Sequence, residues 1–410
     1  MPADKMLSPE EAQDIVLDHI GPTGAERVSI LEAQGRVLAE DIVARHDNPP
    51  LDNSAMDGYA VRFADVSGAT ADAPAGLDMI EDIPAGSIGQ KQVGPGQCSR
   101  IMTGAPIPAG ADTVIPVEDT RSRGDRVEIL DPDEAGANVR PRGDDMRTGQ
   151  RLIAAGTLCN SGEIGVMAAQ QRAFVAVHRR PTAAILSTGD ELVEVDQPLE
   201  AGKIVNSNTY GLAALAKEAG IEPRMLPTAP DDEDAIRQTV ETALECDFVV
   251  SSGGVSVGEY DFVKKVLDEM GAEPKLWRVA MKPGKPLFFA MLRGKPYFGL
   301  PGNPVSSLMS FLQFVRPAAR KALGLPAGSW RLPEIDAVLE NPVRNDGDRR
   351  QYLRAGLRLD GGTPRAEVFA AQGSHILTSM LGVGCIVVLE PGQRAQAGEP
   401  VRVQVVGGLA

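Results

Sequence analysis

Aromatic residues make up only 4% of the 410-residue chain. The core must therefore be packed from Leu, Val, Ile and Ala, within a hydrophobic content of 43%. The four cysteines, Cys98, Cys159, Cys246 and Cys385, stand far apart with no C-x-x-C pair, and the four histidines are equally scattered, so no zinc site can be read. No apolar run reaches the ~20 residues needed to cross a bilayer. The start, Met1-Pro-Ala-Asp-Lys, has no signal-peptide core. A soluble, cytosolic protein without a membrane partner is expected. G-x-x-x-x-G-K-[ST] is absent, which excludes a P-loop NTPase, and no nicotinamide-type G-x-G-x-x-G follows the first strand. Positive charge is scarce: the net charge is −15, which argues against a nucleic-acid surface. An anionic ligand would need local Lys and Arg working against that field.

Glycine (44) and proline (31) are abundant and imply many turns and long loops. Ser8-Pro9-Glu10-Glu11 is a capping box with proline at the first helical position, and predicts a helix to about Ile20. In the stretch from Asp47 to Val61, a polar loop with Asp57-Gly58 as a turn leads into a strand that starts at Tyr59-Ala-Val61. Residues 62–135 lack helical periodicity and predict a β-rich lobe, in which Arg100-Ile-Met-Thr-Gly ends a strand on Thr103. Asn138 to Arg147 gathers Arg140, Arg142 and Arg147 beside Asp144 and Asp145. That run is either a solvated ion-pair loop or an arginine clamp for phosphate.

From Thr182 strands alternate with helices, the pattern of a mostly parallel sheet covered on both faces. Strands are expected at Ala183–Leu186, Lys203–Asn206, Pro223–Leu226, Phe248–Val250, Leu287–Ala290 and Pro296–Leu300. After Trp330 the pattern is strand-like and reads as a small β domain. The expected fold is multidomain α/β: a central three-layer α/β/α domain (181–327), an N-terminal α+β region (1–46 and 136–180) serving as linker and dimerisation region, an inserted β-rich lobe (47–135), and a C-terminal β domain (328–410).

Ligands of open α/β sheets bind outside the carboxyl ends of the strands. Ser187–Glu191, Ser251–Asp261, Lys282–Pro286 and Pro301–Ser306 each follow or flank a strand. Ser252-Gly253-Gly254 joins a strand to a helix N-terminus, which is a tight βα turn or an anion cradle. Asn303 as N-cap with Pro304 after it reads as a second anion-competent helix start. Asp190, Glu191 and Asp261, mixed with phosphate contacts, suit Mg²⁺.

Ser54-Ala-Met-Asp-Gly-Tyr-Ala-Val, Met102-Thr-Gly-Ala-Pro, Ser187-Thr-Gly-Asp-Glu-Leu, Ser252-Gly-Gly-Val-Ser-Val-Gly, Lys282-Pro-Gly-Lys-Pro and Pro301-Gly-Asn-Pro-Val-Ser occur in this order. Together they resemble the molybdopterin molybdenumtransferase family, which includes bacterial MoeA and the E domain of gephyrin. The resemblance covers nearly the whole chain. It implies a Mg²⁺-dependent enzyme that takes adenylylated molybdopterin and molybdate and yields molybdenum cofactor and AMP. It also implies a homodimer with a shared site, Asp57 and Thr103 acting in trans, and a molybdopterin adenylyltransferase upstream. On this resemblance Asp57, Thr103, Asp145 and Glu191 are catalytic. Arg140, Asp231, Ser252, Gly253, Gly254, Ser256, Asp261, Arg278, Pro301 and Asn303 bind the pterin substrate. Lys282, Lys285, Ser306, Arg349, Arg354 and Ser374 bind molybdate, with Arg349 and Arg354 as alternatives. Asp190, Glu191 and Asp261 hold the metal. Arg278 departs from the family, where lysine is more usual. A molybdopterin adenylyltransferase and a gephyrin-like binding scaffold are the rival readings.

Overall fold

A six-stranded sheet positions most of the candidate residues. In this computed structural model, which describes residues 6–254 and 262–407, its strands are β1 (Thr182–Ser187), β2 (Glu222–Met225), β3 (Phe248–Ser252), β4 (Glu273–Arg278), β5 (Pro286–Leu292) and β6 (Lys295–Leu300). Their order is β2-β1-β3-β6-β5-β4. β1 pairs in parallel with β2 and β3, and β3 with β6, while β5 is antiparallel to both β6 and β4. Hence β4 runs in the majority direction and β5 alone is reversed.

The strands are apolar on both faces because both are covered. Along β3, Phe248 and Val250 pack in one cluster with Leu212, Met309 and Phe314, and Val249 packs in another with Ile236, Val240 and Val266. The first cluster includes residues of α1 (Pro9–Asp18), α2 (Ser207–Glu218), α5 (Pro304–Ser310) and the helical turns that continue it to Ala322; the second includes residues of α3 (Glu233–Ala243) and α4 (Phe262–Glu269). The capping box of α1 forms as expected, with Ser8 Oγ accepting from Glu11 N–H at 3.2 Å and Glu11 accepting from Ser8 N–H at 2.8 Å.

The expected strand at Lys203–Asn206 is not part of this sheet. Ile204–Val205 pairs in parallel with Leu192–Val193 as a separate two-stranded ribbon, with both residues exposed. The helix from Pro304 is also less one-sided than its apolar stripe suggests. All of Val305 to Val315 is buried, and Phe311–Val315 is a π-helical segment.

Toward the C-terminus, Glu334–Leu339, Arg350–Asp360, Thr363–Val368, Cys385–Leu389 and Pro400–Val405 pair in a ring that closes through Arg350–Asp360 and Cys385–Leu389. Closure removes free strand edges. Met281–Lys282 adds alongside Arg350–Gln351.

These elements belong to one compact unit (1–39, 156–159 and 175–410); residues 40–155 and 160–174 form a second. The second unit holds a six-stranded mixed sheet containing Gly58–Val61 and Gln97–Ile101, with Val61, Leu77, Cys98, Ile115 and Val127 in its core. No described helix is long and apolar enough to cross a membrane.

Candidate functional site

The chain leaves β1 at Ser187, β3 at Ser252, β6 at Leu300 and β4 at Arg278, all at the same edge of the sheet. The loops that follow meet there. Gly253 N–H donates to Leu300 O at 3.1 Å. Ser252 Oγ is 3.4 Å from both Pro301 O and Ser307 Oγ. Thr188 pairs with Ala229, in the loop after β2. The sequence supplies glycine where this crowding demands it. Gly254 has φ +66°, and a Cβ there would stand 2.4 Å from Val263 Cγ2. Ser256 and Asp261 lie outside the described residues, as does the part of the magnesium reading that rests on Asp261.

The acids follow β1 and β2. Asp190 N–H donates to Asp231 Oδ2 at 3.4 Å, and Asp231 N–H donates to Asp190 Oδ1 at 3.2 Å. Asp231 thus sits with Asp190, among the acids. Glu191 is exposed and folds back over Gly189, whose own Cβ would come within 2.5 Å of Glu191 Oε2. A pocket of about 320 Å³ opens beside Asp190, lined in part by Leu192, Glu194, Gln197 and Pro227. Among the described residues no group of three His, Cys, Asp or Glu side chains stands close enough to enclose a metal. Open hard-oxygen donors of this kind fit Mg²⁺, which keeps several waters and leans on one or two carboxylates plus substrate phosphate.

The cations follow β4. Lys282 and Lys285 are both exposed, in a tight bend that turns on Gly284 (φ +109°), where a Cβ would stand 2.8 Å from Ser310 Oγ. Arg349 reaches the same bend, its Nη1 donating to Met281 O at 3.3 Å. Between the two arginine alternatives the geometry distinguishes plainly. Arg354 is fully buried and its guanidinium is spent on Ser379 Oγ, Ala371 O and Gly373 O. Burial also lowers its pKa. Through these bonds it shapes the loop that carries Ser374.

The Ser374 carbonyl accepts from Val305 N–H at 3.0 Å. Pro304 has no N–H, so the start of α5 has fewer free donors than its sequence implies. Asn303 occupies the N-cap without a side-chain cap bond. Ser306 is 6% exposed. Arg278 ends β4, paired with Pro286.

In the second unit, Asp57 and Thr103 are in direct contact, with Thr103 N–H and Oγ1–H each donating to Asp57 Oδ1 at 2.7 Å. Asp145 accepts from Asn48 Nδ2 at 2.9 Å. Arg140 pairs with Asn53 in a two-stranded ribbon. Arg142 bonds to Asp47 and not to its sequence neighbours Asp144 and Asp145. Asp47 also accepts from the backbone and hydroxyl of Thr148, and these bonds hold its pKa at about 2.

Sequence reasoning missed Asn208. Asn208 Nδ2 donates to Ser252 Oγ at 2.8 Å and to Gly302 O at 2.7 Å, bridging two of the loops. The only available signal was the polar run Asn206-Ser-Asn-Thr209 opening a helix directly after an apolar dipeptide.

Comparison with known proteins covers almost the whole chain. Residues 7–171 match the MoeA N-terminal region (domain I and II), residues 184–321 a probable molybdopterin binding domain, and residues 336–406 the MoeA C-terminal region (domain IV). The molybdopterin molybdenumtransferase of a Nostoc species is 43% identical over 354 residues, 85% of this chain and 80% of that protein. That of Haemophilus influenzae is 33% identical over 405 residues, 97% and 98% of the two chains. The crystal structure of the molybdopterin biosynthesis MoeA protein from Pyrococcus horikoshii superposes with a TM-score of 0.85 at 31% identity, covering 98% of this chain and all of that one.

Proposed function

The chain belongs to the molybdopterin molybdenumtransferase family of molybdenum cofactor biosynthesis, and we propose that it inserts molybdate into adenylylated molybdopterin, releasing AMP. One observation supports the site: β1, β3, β4 and β6 end at the same edge of the sheet, so the loops that carry the glycines, the acids and the lysines all leave from that edge. Matches at both ends of the chain weigh against the adenylyltransferase alternative.

In this reading Ser252, Gly253, Gly254, Pro301 and Asn303 cradle the pterin and its phosphate, with Ser256, Asp261, Asp231, Arg140 and Arg278 as further contacts. Lys282, Lys285 and Arg349, with Ser306 and Ser374, hold the molybdate dianion by charge and hydrogen bonding. The substrate's dithiolene sulfurs replace two molybdate oxygens, and each departing oxide needs two protons to leave as water; one water is consumed as the phosphoanhydride is cleaved to free AMP, so one is released net. The protein's work is to deliver those protons and steady the anions; Glu191 and Asp145 are the carboxylates assigned to that transfer. Asp57, held in place by its two hydrogen bonds from Thr103, serves as a fixed acceptor. Asp190 and Glu191 would hold Mg²⁺, which supplies charge neutralisation at the pyrophosphate as AMP departs. The working form is a cytoplasmic homodimer whose α/β part is a three-layer α/β/α domain, fed by an upstream adenylyltransferase.

The test is reconstitution with adenylylated molybdopterin, Mg²⁺ and molybdate, following AMP release. Turnover in the native chain and a loss of at least ~100-fold in Glu191→Gln, with folding retained, are expected. No release above background would remove the transferase reading, and full activity in Glu191→Gln would remove that residue from it.

A further inference from the structure

One stretch outside the roles above bonds to the ends of β1 and β3 and to the loops after β2 and β6: the first turn of α2, Asn206-Ser207-Asn208-Thr209. Asn206 caps the helix, its Oδ1 accepting from Thr209 N–H at 3.3 Å, while its Nδ2 donates to Thr228 Oγ1 at 2.9 Å in the loop after β2. Thr209 Oγ1 meets Ser187 Oγ at 2.8 Å, at the end of β1. Asn208 gives one amide hydrogen to Ser252 Oγ, at the end of β3, and the other to Gly302 O, just after β6. Gly302 O can only accept, so the orientation of the Asn208 amide is fixed by chemistry. Asn206 and Thr209 are each 2% exposed, so their bonds are made out of water, where leaving a polar group unpaired is costly.

The bond from Asn208 also settles what the Ser252 hydroxyl can do. One of its lone pairs is occupied by the amide hydrogen, and its own proton remains to be donated. Among the described residues the protein acceptors in reach, Pro301 O and Ser307 Oγ, are both at 3.4 Å, at the long limit for O–H···O. A phosphate oxygen entering the cleft is a stronger acceptor than either.

We propose that the Asn206–Thr209 turn is the positioning device of this site. Asn208 sets the spacing of the Gly253-Gly254 and Pro301-Gly302 loops and leaves Ser252 ready to donate to an anionic, phosphate-bearing ligand. The proposal rests on the reading of these loops as the substrate site. Asn208 acts through Ser252 and Gly302, and Thr209 through Ser187; neither touches the reacting atoms.

The experiment compares Asn208→Ala, Ser252→Ala, their double variant and Thr209→Val, which keeps the side-chain volume. Each is assayed for melting temperature and for KM and kcat of AMP release with adenylylated molybdopterin. Asn208→Ala is expected to raise KM about tenfold with kcat within about threefold, and the double variant to lose less than the sum of the two single losses, because the Ser252 part of the Asn208 effect is already gone. Thr209→Val is expected to raise KM in the same direction. Wild-type KM in both Asn208→Ala and Thr209→Val, with KM raised in Ser252→Ala, overturns the proposal while leaving the site reading intact. Additive losses in the double variant also overturn it. Unchanged KM in Ser252→Ala removes the site reading itself, and this inference with it.

Discussion

Asp57 takes both hydrogen-bond donors of Thr103, the backbone N–H and the hydroxyl, on a single carboxylate oxygen. The Thr103 hydroxyl first, then its backbone N–H, pulls the Asp57 pKa below its usual value, with a smaller contribution from Arg100. A carboxylate held down in this way stays ionised near neutral pH and is a poor proton donor there. The pair therefore suits the binding or orientation of a cationic or N–H group more than the proton shuttling that a bare aspartate in this loop suggests.

This arrangement makes Thr103→Val informative. The variant keeps the backbone donor and removes the stronger, hydroxyl one, so the Asp57 pKa rises. If ionised Asp57 is required, activity falls as pH drops through that pKa, and the acidic limb of kcat/KM moves to higher pH in the variant. A pH profile of AMP release measures it. A limb that stays in place while activity falls would assign Thr103 a role unconnected with the Asp57 charge.

The proposed sharing of the cleft between subunits predicts complementation. Asp57→Ala and Glu191→Gln are each expected to be inactive. When the two are mixed and allowed to exchange subunits, half of the dimers are mixed, and in each of those one cleft has both residues intact. Recovery to roughly a quarter of native activity is the statistical expectation for a two-fold dimer. Activity no higher than that of the separate variants would place Asp57 and Glu191 in the same subunit's site, or in none.

Local signals in the sequence were read well because the physics behind them is local. The α1 capping box spans four residues, and the β3 to α4 unit is announced by an apolar run and an amphipathic pattern on either side of its glycines. Ile204–Val205 looks like any short strand, but its exposed pairing with Leu192–Val193 is decided by tertiary contacts that no window contains. Arg354 was ambiguous for a similar reason. It is two residues from Tyr352 and shares that face of its strand, which turns away from the interior of the ring; Tyr352 is buried in the cluster of the six-stranded α/β sheet and its helices, and Arg354 under the loop that carries Ala371, Gly373 and Ser379. Asn208 was invisible because its two partners are 44 and 94 residues away.

The opposite edge of the sheet offers a test of stability separate from the chemistry. Arg179 clasps Asp247 with two hydrogen bonds of 2.7 and 2.8 Å, and Thr182 adds its N–H and hydroxyl to the same carboxylate. Partial burial opposes ionisation of Asp247, but the Arg179 and Thr182 bonds prevail and hold its pKa at about 2, against an ordinary 3.8. A depressed carboxylate contributes stability above its unfolded pKa and loses it as pH falls through the folded one. That window runs here from about pH 4 to about pH 2. Asp247→Asn is therefore expected to destabilise the chain at neutral pH by about 1–2 kcal/mol, after allowance for solvent screening of the half-exposed Arg179. The difference should close as pH falls toward 2, where the native carboxyl is itself protonated. Urea unfolding of both proteins at several pH values measures the gap, and a gap that does not change with pH would show that packing, and not the Arg179–Asp247 charge pair, sets the cost.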